Sequence, residues 1–357
     1  HGKKLRQRVL SSGTGLFLST DCEIITQLLC LKPPESLSPE RPEWERRIQY
    51  FMTQCEGAYS LVLLTRDTIY AVRDPHGLRP LVLGQLKPSG SRLTSTPAHI
   101  VASESCAITT LGGSIVGEVL PGEVVTIDSS GVTRFQAVPP APKLSFCIFE
   151  YIYFSRPDSF LENQQVHTVR QRLGQQLALE APVVGADMVM PVPDSGIPAA
   201  VGYARQAGIL FCEGLNKNRY IARTFIQPTK ALRMEAIKLK FNPLPGNLSG
   251  KRVVMIDDSI VRGNTIIQLI KLVREGGAKE VHVRITCPPI LHPCFMGIDM
   301  ATYDELVAHQ RSVEDIQKYI GADSLAYISY EGMHKAVSSG GACDACFTGN
   351  YPIKIDW

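Results

Sequence analysis

An excess of charge of one sign is missing. Lys and Arg number 37 and Asp and Glu 34, so the net charge is only +3 over 357 residues. An imbalance that small gives no argument for a nucleic-acid partner. Long apolar runs are missing too: none reaches the roughly 20 residues that a membrane-spanning helix needs. No secretory signal opens the chain, so the expected setting is cytoplasmic and away from membranes. Internal repeats are absent, and low-complexity patches are as short as Ser338-Ser339-Gly340-Gly341. An initiating Met is also lacking. The opening Lys3-Lys4-Leu5-Arg6-Gln7-Arg8-Val9-Leu10 reads as the middle of an amphipathic helix, so a piece of a longer protein is expected.

What is present is a globular composition, with 20% charged and 44% hydrophobic residues, long enough for about two domains. The ten cysteines, without a signal, are expected as reduced thiols, with a metal site in view rather than disulfides. Cys106 and Cys212 have apolar neighbours and are expected as small core residues.

The patterning changes along the chain. Ala58 to Thr65 and Thr68 to Val72 predict a hairpin around Arg66-Asp67. Leu81 to Gly84, Ile100 to Ala102 and Glu123 to Ile127 predict further strands, with helices over Glu23 to Leu29 and Trp44 to Cys55. That is an α+β pattern. The run Val138-Pro139-Pro140-Ala141-Pro142 predicts a linker. Beyond it, strands and helices alternate. Helices are predicted over Thr168 to Glu180, Pro198 to Ala207 and Ile266 to Glu275. Strands are predicted over Met188 to Val192, Leu210 to Cys212, Arg252 to Ile256 and Glu280 to Thr286. Such alternation implies a parallel sheet, and ligands bind parallel sheets outside the carboxyl ends of the strands.

The most informative stretch falls at one such end. Val253-Val254-Met255-Ile256 runs into Asp257-Asp258, then into the turn Ser259 to Thr265 and a helix start. Backbone amides at a helix N-terminus take phosphate oxygens, and Gly263 permits close approach. The acids would accept hydrogen bonds from ribose hydroxyls or help to hold a metal. A sugar phosphate fits this order. A plain strand end, or a receiver-type magnesium site, fits the acid pair alone. Lys217 to Lys240 holds seven Lys or Arg against one acid, Glu235. A lid over a polyanion, a solvated basic face and a nucleic-acid backbone patch all fit that run. Cys343-Asp344-Ala345-Cys346 suits a zinc half-site, a redox pair or a mobile tail.

Taken whole, the Asp257–Thr265 string resembles the phosphoribosyl pyrophosphate (PRPP) loop of phosphoribosyltransferases. Cys147-Ile148-Phe149-Glu150-Tyr151-Ile152-Tyr153-Phe154-Ser155-Arg156-Pro157-Asp158-Ser159 is similar to the entry of the synthase domain in the amidophosphoribosyltransferase family. Lys217-Asn218-Arg219-Tyr220 with Arg223 to Pro228, Val192-Pro193-Asp194-Ser195, and Pro288-Pro289-Ile290 with His292-Pro293-Cys294-Phe295 extend the match.

The resemblance implies an α/β fold with a type I phosphoribosyltransferase parallel sheet. A partial α+β N-terminal-nucleophile (class II glutamine amidotransferase) domain would precede it. The implied division is 1–137, a linker over 138–146, and 147–357 with a cysteine tail. The implied activity is the first committed step of purine synthesis, making phosphoribosylamine, pyrophosphate and glutamate from PRPP, glutamine and water. PRPP would meet Asp194, Ser195, Lys217, Arg219, Tyr220, Asp257, Asp258, Ser259, Gly263, Asn264 and Thr265, with Mg2+ at Ser195, Asp257 and Asp258. Purine nucleotides would inhibit near Lys217, Arg219, Lys238 and Lys240, and a homo-oligomer is implied. Cys147, Cys294, Cys343 and Cys346 match the positions that hold a [4Fe-4S] cluster in the iron–sulfur branch.

For the first half the resemblance implies that Asp21 contacts the glutamine α-amino group. Thr20 and Glu23 also have capping-box spacing, which suits a helix start there regardless. The family's glutaminase uses a cysteine at residue one. Position 1 here is His, and Cys22 and Cys30 are internal, so the sequence as it stands is expected to use free ammonia at most. Arg73-Asp74-Pro75-His76-Gly77-Leu78-Arg79-Pro80 matches a family turn and is expected to be structural. The alternative is a PRPP-binding regulatory protein without catalysis.

Overall fold

The computed structural model describes all residues except 1, 19, 32–42, 88–96, 219, 221–238, 299, 301, 356 and 357. It divides into two compact units. The first comprises His1–Cys147, Gly341–Cys343 and Tyr351–Trp357, and the second Ile148–Gly340 and Asp344–Asn350.

The first unit contains helices α1 (Gly2–Ser11), α2 (Asp21–Cys30), α3 (Trp44–Gln54) and α4 (Ser105–Thr110). Its strands are β1 (Ser60–Leu64), β2 (Ile69–Arg73), β3 (Val82–Leu86), β4 (Ala98–Ala102), β5 (Ser114–Glu118), β6 (Glu123–Asp128) and β7 (Gly131–Gln136). The predicted hairpin forms with Leu64 opposite Ile69. One sheet runs β1-β2-β6-β7 and a second β4-β3-β5. Alternation along β2 and β6 explains the layering. Tyr70, Val72 and Val124 pack with Val9, Leu28 and Phe51 of the helices, whereas Ala71 and Val125 pack with Leu83 of the other sheet and with Leu81 just before it. Burial on both faces accounts for the near-continuous apolar reading of these strands.

One expectation changes here. Thr20 stands at the N-cap of α2 but makes no side-chain capping bond. Glu23 instead accepts from the Phe17 and Leu18 amides at 2.8 and 2.7 Å. The Pro-rich run does not leave the unit bare: Ala141, Ser145 and Cys147 donate backbone N–H to the carbonyls of Pro75, His76 and Leu78. The Arg73–Pro80 turn is structural, as expected. Arg73 donates to the Gly77, Arg79 and Val119 carbonyls, and Asp74 accepts from the Tyr59, His76 and Leu78 amides.

The second unit contains α5 (Val166–Glu180), α6 (Ile197–Ala207), α7 (Asn264–Glu275), α8 (Val313–Ile320) and α9 (Tyr330–Val337). Its strands are β8 (Met188–Pro191), β9 (Leu215–Lys217), β10 (Phe241–Pro243), β11 (Arg252–Asp257), β12 (Glu280–Ile285) and β13 (Ser324–Tyr327). The sheet β8-β11-β12-β13 is parallel throughout. The strand expected at Leu210–Cys212 is reduced to a single bridge, Val189 to Phe211, at the edge of the sheet. With one neighbour only, Cys212 is half-buried and not a core residue, whereas Cys106 is buried as expected. Helices α5 and α6 meet backbone to backbone. A Cβ on Gly174 would lie 1.9 Å from the Ala199 carbonyl oxygen. Among the described residues, no helix is long and apolar enough to cross a membrane.

Candidate active site

Strands β8 and β11 run side by side, so their carboxyl ends open together, with Pro191 level with Ile256. The chain leaving β8 turns back across β11: the Val192 amide donates to the Ile256 carbonyl at 2.8 Å. Gly196 makes this turn possible, since a Cβ there would lie 2.7 Å from the Ile256 oxygen and 2.8 Å from the Val192 oxygen. The Pro193–Asp194 peptide bond is cis. The result places Ser195 over the end of β11.

There Asp258 takes two hydroxyl donors. Ser195 Oγ donates to Oδ2 at 2.5 Å and Ser259 Oγ to Oδ1 at 2.7 Å. Asp258 is 6% exposed. Asp257 accepts from the Asp258 amide at 2.9 Å and stays half-buried. Burial, and then the charge of Asp258, pushes Asp257 well above the usual carboxylate range. Burial raises Asp258 as well, against the Ser195 and Ser259 hydroxyls and the charge of Arg170. Two adjacent acids raised in this way resist carrying both charges at once, and a cation beside them would ease that.

Gly263 follows at φ +78°, which glycine adopts freely, and Asn264 and Thr265 open α7. The Ile267 amide bonds the Gly263 carbonyl at 3.2 Å, so the amides before it face out of the helix end. In the Asp194–Gly196 turn two amides are already engaged within the backbone. Gly196 N–H is bonded to the Val192 carbonyl and Ile197 N–H to the Asp194 carbonyl.

The basic segment is described at its ends only. Lys217 closes β9 and its ammonium pairs with the Asp194 carboxylate. Lys240 flanks Phe241 of the partner strand β10 and is half-buried. Tyr220 is exposed, with its amide bonded to Asn218 Oδ1 at 3.0 Å. Arg219 and Lys238 lie outside the described residues.

Arg170 was not singled out from the sequence. It occupies an apolar position of α5, among Val166, Val169 and Leu173, and is 2% exposed. It donates to the Tyr151 and Ser155 carbonyls at 2.7 and 2.8 Å, and its charge reaches Asp258. The detectable signal is a permanent cation inside an apolar helical stripe.

Asp21 is exposed in the first turn of α2. In the first unit Cys147 stands opposite Cys343 on paired parallel strands. In the second, Cys294 Sγ accepts the Met296 amide at 3.3 Å, and the Cys346 carbonyl accepts from the Leu291 and His292 amides. Among the described residues, no three of His, Cys, Asp or Glu converge as metal ligands.

Comparison with known proteins fits this geometry. The phosphoribosyl transferase domain family matches residues 157–293. The amidophosphoribosyltransferase of Rattus norvegicus is 45% identical over 99% of this chain and 75% of its own length. That of Drosophila melanogaster is 47% identical over 99% of this chain and 68% of its own. The glutamine PRPP amidotransferase of B. subtilis, solved with ADP and GMP, superposes with a TM-score of 0.86 at 41% identity, covering 99% of this chain and 75% of that one. The chain therefore belongs to the amidophosphoribosyltransferase family, pentosyltransferases of purine biosynthesis.

Proposed function

We propose that the second unit transfers the phosphoribosyl group of PRPP to ammonia, forming 5-phosphoribosylamine. The C1–N bond forms as the bond from C1 to the diphosphate oxygen breaks. The electron pair leaves with pyrophosphate, and the surplus proton passes to solvent. The observation that carries this reading is the Ser195–Asp258–Ser259 constellation at the mouth of β8 and β11, directly ahead of the α7 N-terminus. The α7 amides suit the 5′-phosphate. Asp257 and Asp258 suit the ribose hydroxyls, and Lys217 and Lys240 the diphosphate.

Magnesium fits the donor set. Mg2+ is bound through one or two carboxylates plus substrate phosphates and keeps several waters, so two raised aspartates and Ser195 suffice without a protein cage. When bound, it would neutralise charge developing on the departing diphosphate.

Glutamine is the proposed nitrogen source in the first unit, with Asp21 as the contact to its α-amino group. Purine nucleotides are the proposed inhibitors, at Lys217 and Lys240. A [4Fe-4S] cluster on Cys147, Cys294, Cys343 and Cys346 rests on the donor set alone, four thiols being what one cubane requires. Iron and sulfide analysis of anaerobically prepared protein tests it. About four of each per chain is the expected result, and protein free of both ends that assignment.

The deciding assay for the main reading is magnesium-dependent pyrophosphate release from PRPP with ammonia and no nucleobase. Release is expected. PRPP binding without release would mark a regulatory protein instead, and no binding at all would end the reading.

A further inference from the structure

One contact in the second unit has no part in the proposed reaction. The Lys217 ammonium, at the end of β9, is held by the Asp194 carboxylate. Ribbon register sets Lys217 opposite Phe241, and the Asn218 amide bonds the Lys240 carbonyl at 2.7 Å. Lys217 and Lys240 therefore stand together at one end of the ribbon. Burial, then the charge of Lys217, holds Lys240 below its ordinary value, while Asp194 acts in the opposite sense. Two ammoniums thus share this corner with Asp194. The partners of the ion pair are unequally placed: the Lys217 side chain is 26% exposed and that of Asp194 68%. The carboxylate can swing into solvent with little loss of packing, whereas the lysine side chain is the more buried of the two and its backbone is paired in the ribbon.

We propose that Asp194 is an internal counter-anion. It occupies Lys217 while no polyanion is bound, and yields Lys217, with Lys240 beside it, to a diphosphate. This rests on the phosphoribosyl-transfer reading and gives Asp194 a role opposite to that of a simple substrate contact. A carboxylate left in place beside a diphosphate would repel it. Its return to Lys217 compensates the cation when pyrophosphate departs, which lowers affinity for that product and favours its release.

The test is calorimetric titration of the full chain with inorganic pyrophosphate in magnesium buffer. Wild type is compared with Asp194→Asn and with Glu314→Gln, which makes the same change in net charge at an exposed site on α8. Asp194→Asn is expected to bind pyrophosphate roughly three- to tenfold more tightly, the range for removing one exposed competing pair and one nearby repulsion. Glu314→Gln is expected to match wild type. In a Lys217→Met background the gain from Asp194→Asn should fall below about twofold, because the competition has been removed. Unchanged affinity in Asp194→Asn overturns the proposal. Weaker affinity overturns it too, since the carboxylate would then be serving the bound magnesium. Wild-type protein that fails to bind pyrophosphate at all overturns the phosphoribosyl reading along with it.

Discussion

Replacing Asp258 by Asn separates its charge from its place in the fold. Both carboxylate oxygens are occupied, by Ser195 Oγ at 2.5 Å and Ser259 Oγ at 2.7 Å. An amide presents one acceptor and one donor face. One hydroxyl keeps its acceptor, and the other rotates to accept from the new NH2, which a hydroxyl can do. The buried carboxylate is raised by desolvation, and a neutral amide removes that penalty. Folding stability should therefore change by no more than about 1 kcal/mol. Turnover should change far more. A ribose hydroxyl donating to a carboxylate is worth about 1.5–3 kcal/mol, so kcat/KM for PRPP should fall roughly 10- to 150-fold. The magnesium requirement should rise as well, since one of two carboxylates facing the cation is lost. Ammonia-dependent pyrophosphate release, measured across PRPP and magnesium concentrations, reads both effects, and a thermal melt reads the first. Wild-type kcat/KM at an unchanged magnesium requirement would refute the assignment of Asp258 to the sugar. A large loss of stability would refute the account of its hydrogen bonds.

Ser195→Ala should lower kcat/KM about three- to tenfold and be strongly non-additive with Asp258→Asn in a double-mutant cycle, because both act through one hydrogen bond. Gly174→Ala should cost about 3 kcal/mol or more in denaturant melts, since its Cβ meets the Ala199 oxygen at 1.9 Å, and activity should fall with it because α6 follows directly from the Ser195 turn. Arg170→Met leaves two buried carbonyls without their donor and should destabilise the second unit by about 2–5 kcal/mol. Because the charge of Arg170 lowers Asp258, its loss should also move the acid limb of the pH–rate profile toward higher pH. Asp74 is fully buried and held at about 6 rather than 3.8. A raised pKa means that the folded state binds the proton more tightly. Its contribution is present below about pH 4 and is lost as pH rises through 6, roughly 3 kcal/mol in all. Trp44 belongs to the first unit, so denaturant melts followed by tryptophan fluorescence should show that loss in wild type and not in Asp74→Asn.

The Asp257–Thr265 stretch was legible because several levels agree there: a buried apolar strand, an acid pair where it ends, a glycine where the backbone turns, and an amphipathic helix. Edge elements were less so. β5, with Ile115 and Val116 exposed, was not anticipated, and neither was β7. Leu210–Cys212 had the composition of a strand but one neighbour only, and composition does not count neighbours. Glu23 had the spacing of a capping box, yet the two amides at Phe17 and Leu18 give its carboxylate two charge-assisted bonds, more than a reciprocal cap supplies. Arg170 stayed hidden because its acceptors are backbone carbonyls, and a carbonyl at Tyr151 or Ser155 carries no mark in the side-chain sequence.

The charges at the candidate active site follow one physical rule. Cations and anions held in a partly dry cleft must be compensated when the cleft is empty, or the fold bears their desolvation. Asp258 is compensated by two hydroxyl donors and by the charge of Arg170, none of which needs to leave when a sugar binds beside it. Lys217 is compensated by Asp194, a mostly exposed carboxylate that can leave. The difference matches what each group is proposed to meet. Ribose hydroxyls and a hydrated cation add to the acid pair without displacing its donors. A diphosphate must take the place of the anion already on the lysine. The acid pair therefore favours tight, persistent placement of the pentose, and the lysine corner favours exchange, which is what a reaction that keeps one fragment and releases the other requires of its two ends.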